Sequence, residues 1–321
     1  MKICVNLRET KTHINPSMPA TSIPPDPKHP ETREFTVKSA LHYHENEMPC
    51  NWDVNIYRGC GHGCRYCFAQ YSHDYLGAGN FFDEIYAKIN VAAVLDRELS
   101  RRKWGHARIN LSGVTDAYQP AEIEKMIMPD VWKALIRNKN PVIITTKSSL
   151  ILRDIELIRE LAGLTSVYVN ASITILDETL RKTIEPGAAP AEERFKVLEQ
   201  CREAGCITNV MLTPVLPLIN DDRNNLEGIY RRARQANVAG LSAWPLNLRG
   251  STKQKFFRFL EAVFPHLVAS YRELYRDGEL SQEYWDKISI LKAGLQQEYD
   301  IPSITIAPTE KSAEVVQLSL F

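Results

Sequence analysis

Residues 59–68 read Gly59-Cys60-Gly61-His62-Gly63-Cys64-Arg65-Tyr66-Cys67-Phe68, three cysteines four and three positions apart on a loop with three glycines. Three thiolates at that spacing can converge on one inorganic centre, and the glycines let the backbone fold tightly around it with amides aimed inward. Zinc would ask for a fourth protein ligand, and His62 lies within the run to make a three-cysteine, one-histidine knuckle. The other reading is a [4Fe–4S] cluster with one iron left open, a coordination site for a substrate or cofactor. The remaining cysteines, Cys4, Cys50, Cys201 and Cys206, bring the total to an odd seven at uneven spacing. That disfavours a disulfide framework.

From about residue 50 outward, strand and helix patterns alternate. Apolar, often β-branched runs predict strands at Val54–Tyr57, Ala107–Leu111, Val142–Thr146, Val167–Ile173, Ile207–Leu212 and Gly240–Ala243. Helical spacing separates them, in Ile85–Leu99, Val131–Ile136, Ile151–Leu161 and Phe195–Ala204. Gly105, Gly163 and Gly205 follow such segments, where a left-handed residue closes a helix. Asp177 is placed to cap Glu178–Lys182. Six strands alternating with helices predict an α/β fold with a parallel sheet, whose chemistry gathers at the carboxyl ends of the strands.

The domain boundaries read as a Pro-rich extension over 1–45, a body over 46–250, a helical region over 251–300 and a tail over 301–321. Pro24, Pro25, Pro27 and Pro30 keep helix and interior strand out of the extension. Lys253–Phe264, Leu267–Tyr275 and Tyr284–Leu295 are the helices of the third region.

The chain has 321 residues, with Lys+Arg 39 balancing Asp+Glu 39. Zero net charge excludes a protein that coats nucleic acid through bulk positive charge, and leaves room for a local basic face. No apolar run approaches the roughly 20 residues needed to span a bilayer. Met1–Thr10 lacks the apolar core of a secretory signal, so the expected address is the cytoplasm, with no membrane partner.

Cys-x3-Cys-x2-Cys with an aromatic residue before the third cysteine resembles the signature of radical S-adenosylmethionine (radical SAM) enzymes. The longer string Asn55–Ala69 is similar to one branch, the spore photoproduct lyases and their relatives. Ser112-Gly113-Val114-Thr115-Asp116-Ala117-Tyr118-Gln119-Pro120, Thr145-Thr146-Lys147, Ser172-Ile173-Thr174, Glu185-Pro186-Gly187 and Pro214…Pro217…Asn220-Asp221 continue the likeness. It spans roughly residues 50 to 250.

The resemblance implies a partial (β/α)6 barrel and a [4Fe–4S] cluster on Cys60, Cys64 and Cys67. It implies that the open iron chelates S-adenosylmethionine, that reduction by a donor such as flavodoxin or ferredoxin releases a 5′-deoxyadenosyl radical, and that this radical abstracts a substrate hydrogen. By the same likeness, Ser112, Gly113, Thr115 and Asp116 would contact the amino group of the methionine part. Thr145 and Lys147 would hold its carboxylate, and Ser172 its ribose or carboxylate. Tyr66 and Phe68 would pack near the adenine, with Glu185 and Arg194 as further candidates. Plainer roles stand beside these: Asp116 as a turn cap, Lys147 as a solvated charge, Ser172 as a partner for a neighbouring backbone group, and Arg194 as a surface ion pair beside Glu192 and Glu193.

The chain departs from the lyases in one respect. They return a hydrogen through a cysteine between the cluster motif and mid-barrel, and no cysteine occurs here between Cys67 and Cys201. Tyr57, Tyr71 or Tyr118 could relay a radical instead, and buried Cys201 and Cys206 would act as small apolar residues.

The chain ends Gln317-Leu318-Ser319-Leu320-Phe321, which resembles the bacterial sliding-clamp-binding motif and implies the DNA sliding clamp as partner. A tail strand folding back on the barrel, helped by Ile304, Ile306, Val315 and Val316, is the alternative. Basic groups at Arg97, Arg101, Arg102 and Lys103, at Arg231, Arg232 and Arg234, and at Lys253, Lys255 and Arg258 would allow a groove for DNA backbone. The expectation is a radical SAM enzyme that repairs or modifies nucleobases in DNA. Radical modification of RNA, a peptide or a small metabolite is one alternative, and a non-enzymatic iron–sulfur or zinc clamp-binding adaptor is another.

Overall fold

The computed structural model describes residues 31–45, 50–74, 79–304 and 306. Among them run ten strands: β1 (Glu31–Phe35), β2 (His42–Tyr43), β3 (Trp52–Val54), β4 (Tyr57–Arg58), β5 (Glu84–Lys88), β6 (Ile109–Leu111), β7 (Val142–Thr146), β8 (Val167–Ser172), β9 (Ile207–Val215) and β10 (Gly240–Pro245). β7 shows why these residues extend: Val-Ile-Ile-Thr-Thr is β-branched throughout, and four of its five residues are buried. A strand covered on both faces has no polar side to present.

Seven strands form one sheet in the order β10-β9-β8-β7-β6-β3-β2. Six of them are parallel and lie in sequence order, with β2 antiparallel on the edge. Helices Met128–Arg137, Ile155–Ala162, Ala191–Glu203 and Arg223–Gln235 connect successive strands from β6 to β10. This is the expected partial (β/α)6 barrel. Asp177 accepts from Leu180 N at the start of helix Glu178–Ile184, as its position predicts.

Ile109, Val142, Ile144 and Val167 pack with Trp132, Leu135 and Ile158 in one core cluster. Val210, Leu212 and Leu241 pack with Phe195, Leu198 and Ile229 in a second. Trp132 is fully buried, so its truncation to alanine would cost about 3–5 kcal/mol. Its Nε1 donates to the Tyr118 hydroxyl at 2.6 Å, which donates to Asp154 at 2.8 Å. The core thereby braces the loop after β6. Helices Gly250–Val263 and Val268–Leu274 bring Phe256, Leu260 and Tyr271 into one cluster with Cys64 and Tyr66, so the C-terminal helical region packs on the cysteine loop.

The structure corrects several expectations. The first expected strand splits: β3 joins the large sheet, while β4 pairs with β5 in a three-stranded sheet ordered β1-β5-β4. Between them the Asn55 side chain accepts from Val114 N at 2.9 Å, a loop contact that interrupts the ladder. Residues 84–88 are strand rather than helix, because Ile85 and Ala87 alternate with less buried neighbours; the helix begins at Val91. The end of the Pro-rich stretch forms β1, on the edge of the small sheet just after Pro30, where a missing donor is tolerated. β6 begins two residues later than expected, at Ile109. Of the three glycines, Gly205 is left-handed, with φ +94°, whereas Gly163 is right-handed helical and His106 takes the positive φ next to Gly105.

Candidate active site

The cysteine run leaves β4 and is clasped from three sides. Residues 81–84 cover one side: Cys60 N donates to Phe81 O at 3.1 Å, and a Cβ on Gly59 would sit 2.4 Å from Glu84 O, which together with its φ of +78° admits glycine alone. On the second side Gln119, fully buried, accepts from Gly61 N at 2.9 Å and donates to Gly59 O at 3.0 Å. On the third, Arg65 N donates to Ile184 O and Gly187 N to His62 O, both at 2.9 Å. A side chain on Gly187 would meet Gly61 O at 2.5 Å. The Glu185-Pro186-Gly187 turn is thus a backbone-on-backbone lid on the cysteine loop.

Within this clasp Cys60 and Cys64 are buried and Cys67 is half-buried. Burial pushes all three thiols up, Cys60 to about 12 with Asp116 and Cys67 adding to the effect, and Cys64 well above its ordinary value. Each thiol is within electrostatic reach of another, so together they would become thiolates only around a positive inorganic centre. Among the described residues no three of His, Cys, Asp and Glu are grouped to hold a single metal ion. A four-iron cube binds one thiolate per iron, and three cysteines on one clasped loop, each within electrostatic reach of another, would supply three of them.

His62 is not free to complete a zinc knuckle. Its Nδ1 lies 2.8 Å from Gly187 O and its Nε2 3.0 Å from Asp116 Oδ2, so both ring nitrogens face acceptors. Asp116 is filled in turn: Oδ1 accepts from Tyr118 N and Thr146 Oγ1, and Oδ2 also from Lys147 N. Burial raises the Asp116 carboxyl, but His62 and the backbone donors outweigh it and hold it at about 2. Asp116 therefore ties the ends of β6 and β7 to the cysteine loop.

A second buried knot lies beside Tyr66. Its hydroxyl donates to Glu185, which also accepts from Thr174 Oγ1 at 2.9 Å and from Arg194 Nη2 at 2.7 Å. Arg194 reaches further, to Ser172 O at 2.7 Å and Ala189 O at 2.6 Å. Arg194 is 2% exposed and Glu185 0%, so the pair is internal rather than the expected surface pair with Glu192 and Glu193. Burial raises the Glu185 carboxyl, but Arg194, Lys147 and Tyr66 bring it to about 2. Arg181 donates to Glu185 O and Ala188 O, locking the turn from below.

Lys147 brings a cation to this loop. Its backbone is bonded at both ends, but its ammonium has no ion pair among the described residues and lies 5.7 Å from the Tyr66 ring centroid. Burial lowers its pKa, and Cys64 and Glu185 raise it further than burial lowers it. Of the other candidates, Ser112 (φ +78°) accepts from Ala117 N, Gly113 lies against the Asp53 carboxylate, and Thr115 donates to Tyr57 O. Thr145 accepts from Asn170, and Ser172 donates to Thr213 O at 3.3 Å. Phe68 is 54% exposed at the edge of the loop. Gln119, Thr146 and Arg181 were missed as bracing residues; Gln119 and Thr146 lie inside segments singled out above, and their burial is the property the sequence does not print.

Cys50, Cys201 and Cys206 are buried away from this loop's hydrogen bonds, with Cys201 and Cys206 partnering each other. Tyr57 and Tyr118 are also buried, their hydroxyls donating to Glu122 and Asp154. Arg232 is engaged by Glu192 and Glu199 rather than held for a phosphate. Cys4 and the 317–321 pentapeptide lie outside the described residues. No described helix is long and apolar enough to cross a membrane.

The family model described as the Radical SAM superfamily matches residues 54–227. An uncharacterized protein of Mycobacterium tuberculosis is 37% identical over 297 residues, covering 90% of this chain and 87% of the relative. One from Methanocaldococcus jannaschii is 29% identical over 168 residues, 52% of this chain and 61% of its own length. A spore photoproduct lyase variant with bound AdoMet and dinucleoside spore photoproduct superposes with a TM-score of 0.65 at 11% identity, over 84% of this chain and 79% of that one. A second variant gives 0.66 at 12%, over 87% and 82%. At such identity the likeness to the lyase is one of fold.

Proposed function

The chain belongs to the radical SAM superfamily, and from that premise we propose that it repairs or modifies nucleobases in DNA. Its cofactors are a [4Fe–4S] cluster and S-adenosylmethionine, which when bound supply a 5′-deoxyadenosyl radical by one-electron reductive cleavage. The observation that carries the enzymatic reading is the clasped loop of Cys60, Cys64 and Cys67 beside an unpaired Lys147, with both His62 nitrogens already engaged.

The chain's own residues divide the work. Cys60, Cys64 and Cys67 would hold the cluster, and His62 would hold the loop rather than the iron. The Lys147 ammonium is suited to the cofactor carboxylate, a charge-assisted contact in a half-buried setting. Ser112, Gly113, Thr115 and Asp116 shape the loop after β6 where its amino group would lie, and Thr145 and Ser172 line the neighbouring strand ends. Tyr66 is kept protonated by burial and Glu185, so it offers a neutral aromatic wall near the adenine, with Phe68 at the rim. Beneath the packed turn at Gly187 the loop is largely buried, with His62, Cys60 and Cys64 shielded from solvent.

The reading of DNA as substrate is supported by the resemblance to the photoproduct-lyase branch and by the clamp-like pentapeptide Gln317–Phe321, through which the sliding clamp would recruit the protein. Because no cysteine lies between Cys67 and Cys201, the reaction differs from a lyase step that returns hydrogen through such a residue. A flavodoxin or ferredoxin would supply the electron, and the cytoplasm is the setting in which those partners meet. Anaerobic turnover with damaged and undamaged DNA, scored by 5′-deoxyadenosine and by mass changes in the nucleosides, tests the substrate. DNA-independent turnover with RNA or metabolite extracts instead would remove it. Clamp capture by wild type that persists in Phe321→Ala would remove the recruitment.

A further inference from the structure

A cavity of about 350 Å3 opens at the seam between the two sheets, lined by His42, Asn55, Tyr57, Arg58, Tyr71, Ser72, Lys88, Val114 and Thr115. Both flanks of the cysteine run contribute to it, Tyr57 and Arg58 from before and Tyr71 and Ser72 from after. Three basic side chains line it, His42 held below its ordinary value by burial and Lys88, and no carboxylate lines it among the described residues. Lys88 is 3% exposed and lines the cavity, and no carboxylate among the described residues acts on its ammonium. An ammonium on a largely buried side chain with no carboxylate beside it is costly, and a cavity wall is where an external anion can reach it. Glu98, the carboxylate felt by His42, is taken by Ser39 Oγ, Ala40 N and Leu41 N at 2.8, 3.0 and 3.0 Å. Arg58 is fixed over the Phe35 ring at 5.7 Å, which keeps its guanidinium at this end of the small sheet.

Beside the cavity the Tyr71 ring, 42% exposed, stacks on Phe68, 54% exposed, with centroids 6.5 Å apart and planes 30° from parallel. Exposed aromatic rings next to a pocket lined by cations are the surface that a nucleic-acid strand uses, phosphate to cation and base to ring. We propose that this cavity seats one backbone phosphate of an unpaired DNA strand on His42, Arg58 and Lys88, with an adjoining base stacked on Tyr71 and Phe68. The site rests on the nucleobase reading above and deepens it, since it would hold the strand next to the cysteine loop where the target base must arrive. Burial and Arg58 lower the Lys88 pKa to about 8, which a bound phosphate would reverse.

The test uses the full chain with its cluster reconstituted anaerobically, and a short fluorescein-labelled oligodeoxythymidylate read by anisotropy across a salt series. Lys88→Met keeps the length of the side chain and removes the charge; Arg58→Gln changes an exposed position and serves as the second variant. Each is expected to weaken binding about tenfold and to reduce the slope of log affinity against log salt by about one. A methylphosphonate strand, which lacks the charge, should bind wild type and variants alike. Unchanged affinity and slope in both variants would overturn the site. So would inorganic phosphate or thymidine monophosphate binding as tightly as the strand, which would make this a small-molecule pocket. Basal cleavage of S-adenosylmethionine is measured on the same samples and is expected to be unchanged by Lys88→Met. Its absence from wild type would count against the proposed function alone, because strand binding is read without turnover.

Discussion

His62 Nε2 and Asp116 Oδ2 lie 3.0 Å apart, joining the middle of the cysteine loop to the loop after β6, while His62 Nδ1 meets Gly187 O on the opposite side. The histidine inside the motif is thus a cross-brace between two strand-end loops and the Glu185–Gly187 turn. Replacing it should loosen the loop without removing a ligand. His62→Gln is expected to keep its iron and sulfide content after reconstitution while losing about 1–3 kcal/mol of stability. Loss of iron equal to that of Cys64→Ala would contradict the brace.

The Glu185–Arg194 pair is fully internal, so removing one partner strands a charge. Arg194→Met should cost about 3–5 kcal/mol in urea unfolding, and adding Glu185→Leu should recover part of that loss. Equal stability of the Arg194→Met single variant and wild type would show that the pair is not closed from water.

Acid should expose the same groups. The folded carboxyls of Asp116 and Glu185 sit at about 2, below their ordinary values of 3.8 and 4.5. Their contribution is fully present above the unfolded values and is lost as pH falls through them toward about 2. Unfolding free energy measured from pH 6 to pH 3 should therefore drop in wild type, and drop less steeply in Glu185→Gln. Parallel curves would contradict the assignment.

Lys88 has the same pH slope but an unfavourable contribution at neutral pH, because here burial penalises the charged form. Its folded pKa is lowered to about 8 by burial and by Arg58, below the ordinary 10.5. The folded state is not penalised above the unfolded value, and stability falls as pH drops from there toward about 8. At neutral pH Lys88→Met should be more stable than wild type by roughly 2–3 kcal/mol, seen as a rise in Tm. A fall in Tm would mean that Lys88 has a partner.

The barrel was legible because its strands are continuous β-branched runs, as in Val142–Thr146, and need no tertiary information to be recognised. The cysteine loop was legible because chemistry forces a local spacing. The small sheet was not, since Glu-Ile-Tyr-Ala-Lys at 84–88 mixes charged with apolar residues and also fits helical spacing, and its partners Glu31–Phe35 and Tyr57–Arg58 are distant in the chain. Arg194 was misread because its neighbours Glu192 and Glu193 suggested a surface helix turn, whereas the side chain turns inward to Glu185. The roles of Gln119 and Asp116 depend on which loops meet, which only the fold decides.

The central claim is that Cys60, Cys64 and Cys67 hold a four-iron cluster with one iron open to S-adenosylmethionine. Anaerobic reconstitution, dithionite reduction and EPR with and without S-adenosylmethionine measure this directly. The account predicts a [4Fe–4S]+ signal whose g-values move when S-adenosylmethionine is added, in wild type and in His62→Gln alike. Stoichiometric zinc in place of iron, or a cluster signal indifferent to S-adenosylmethionine, would contradict it.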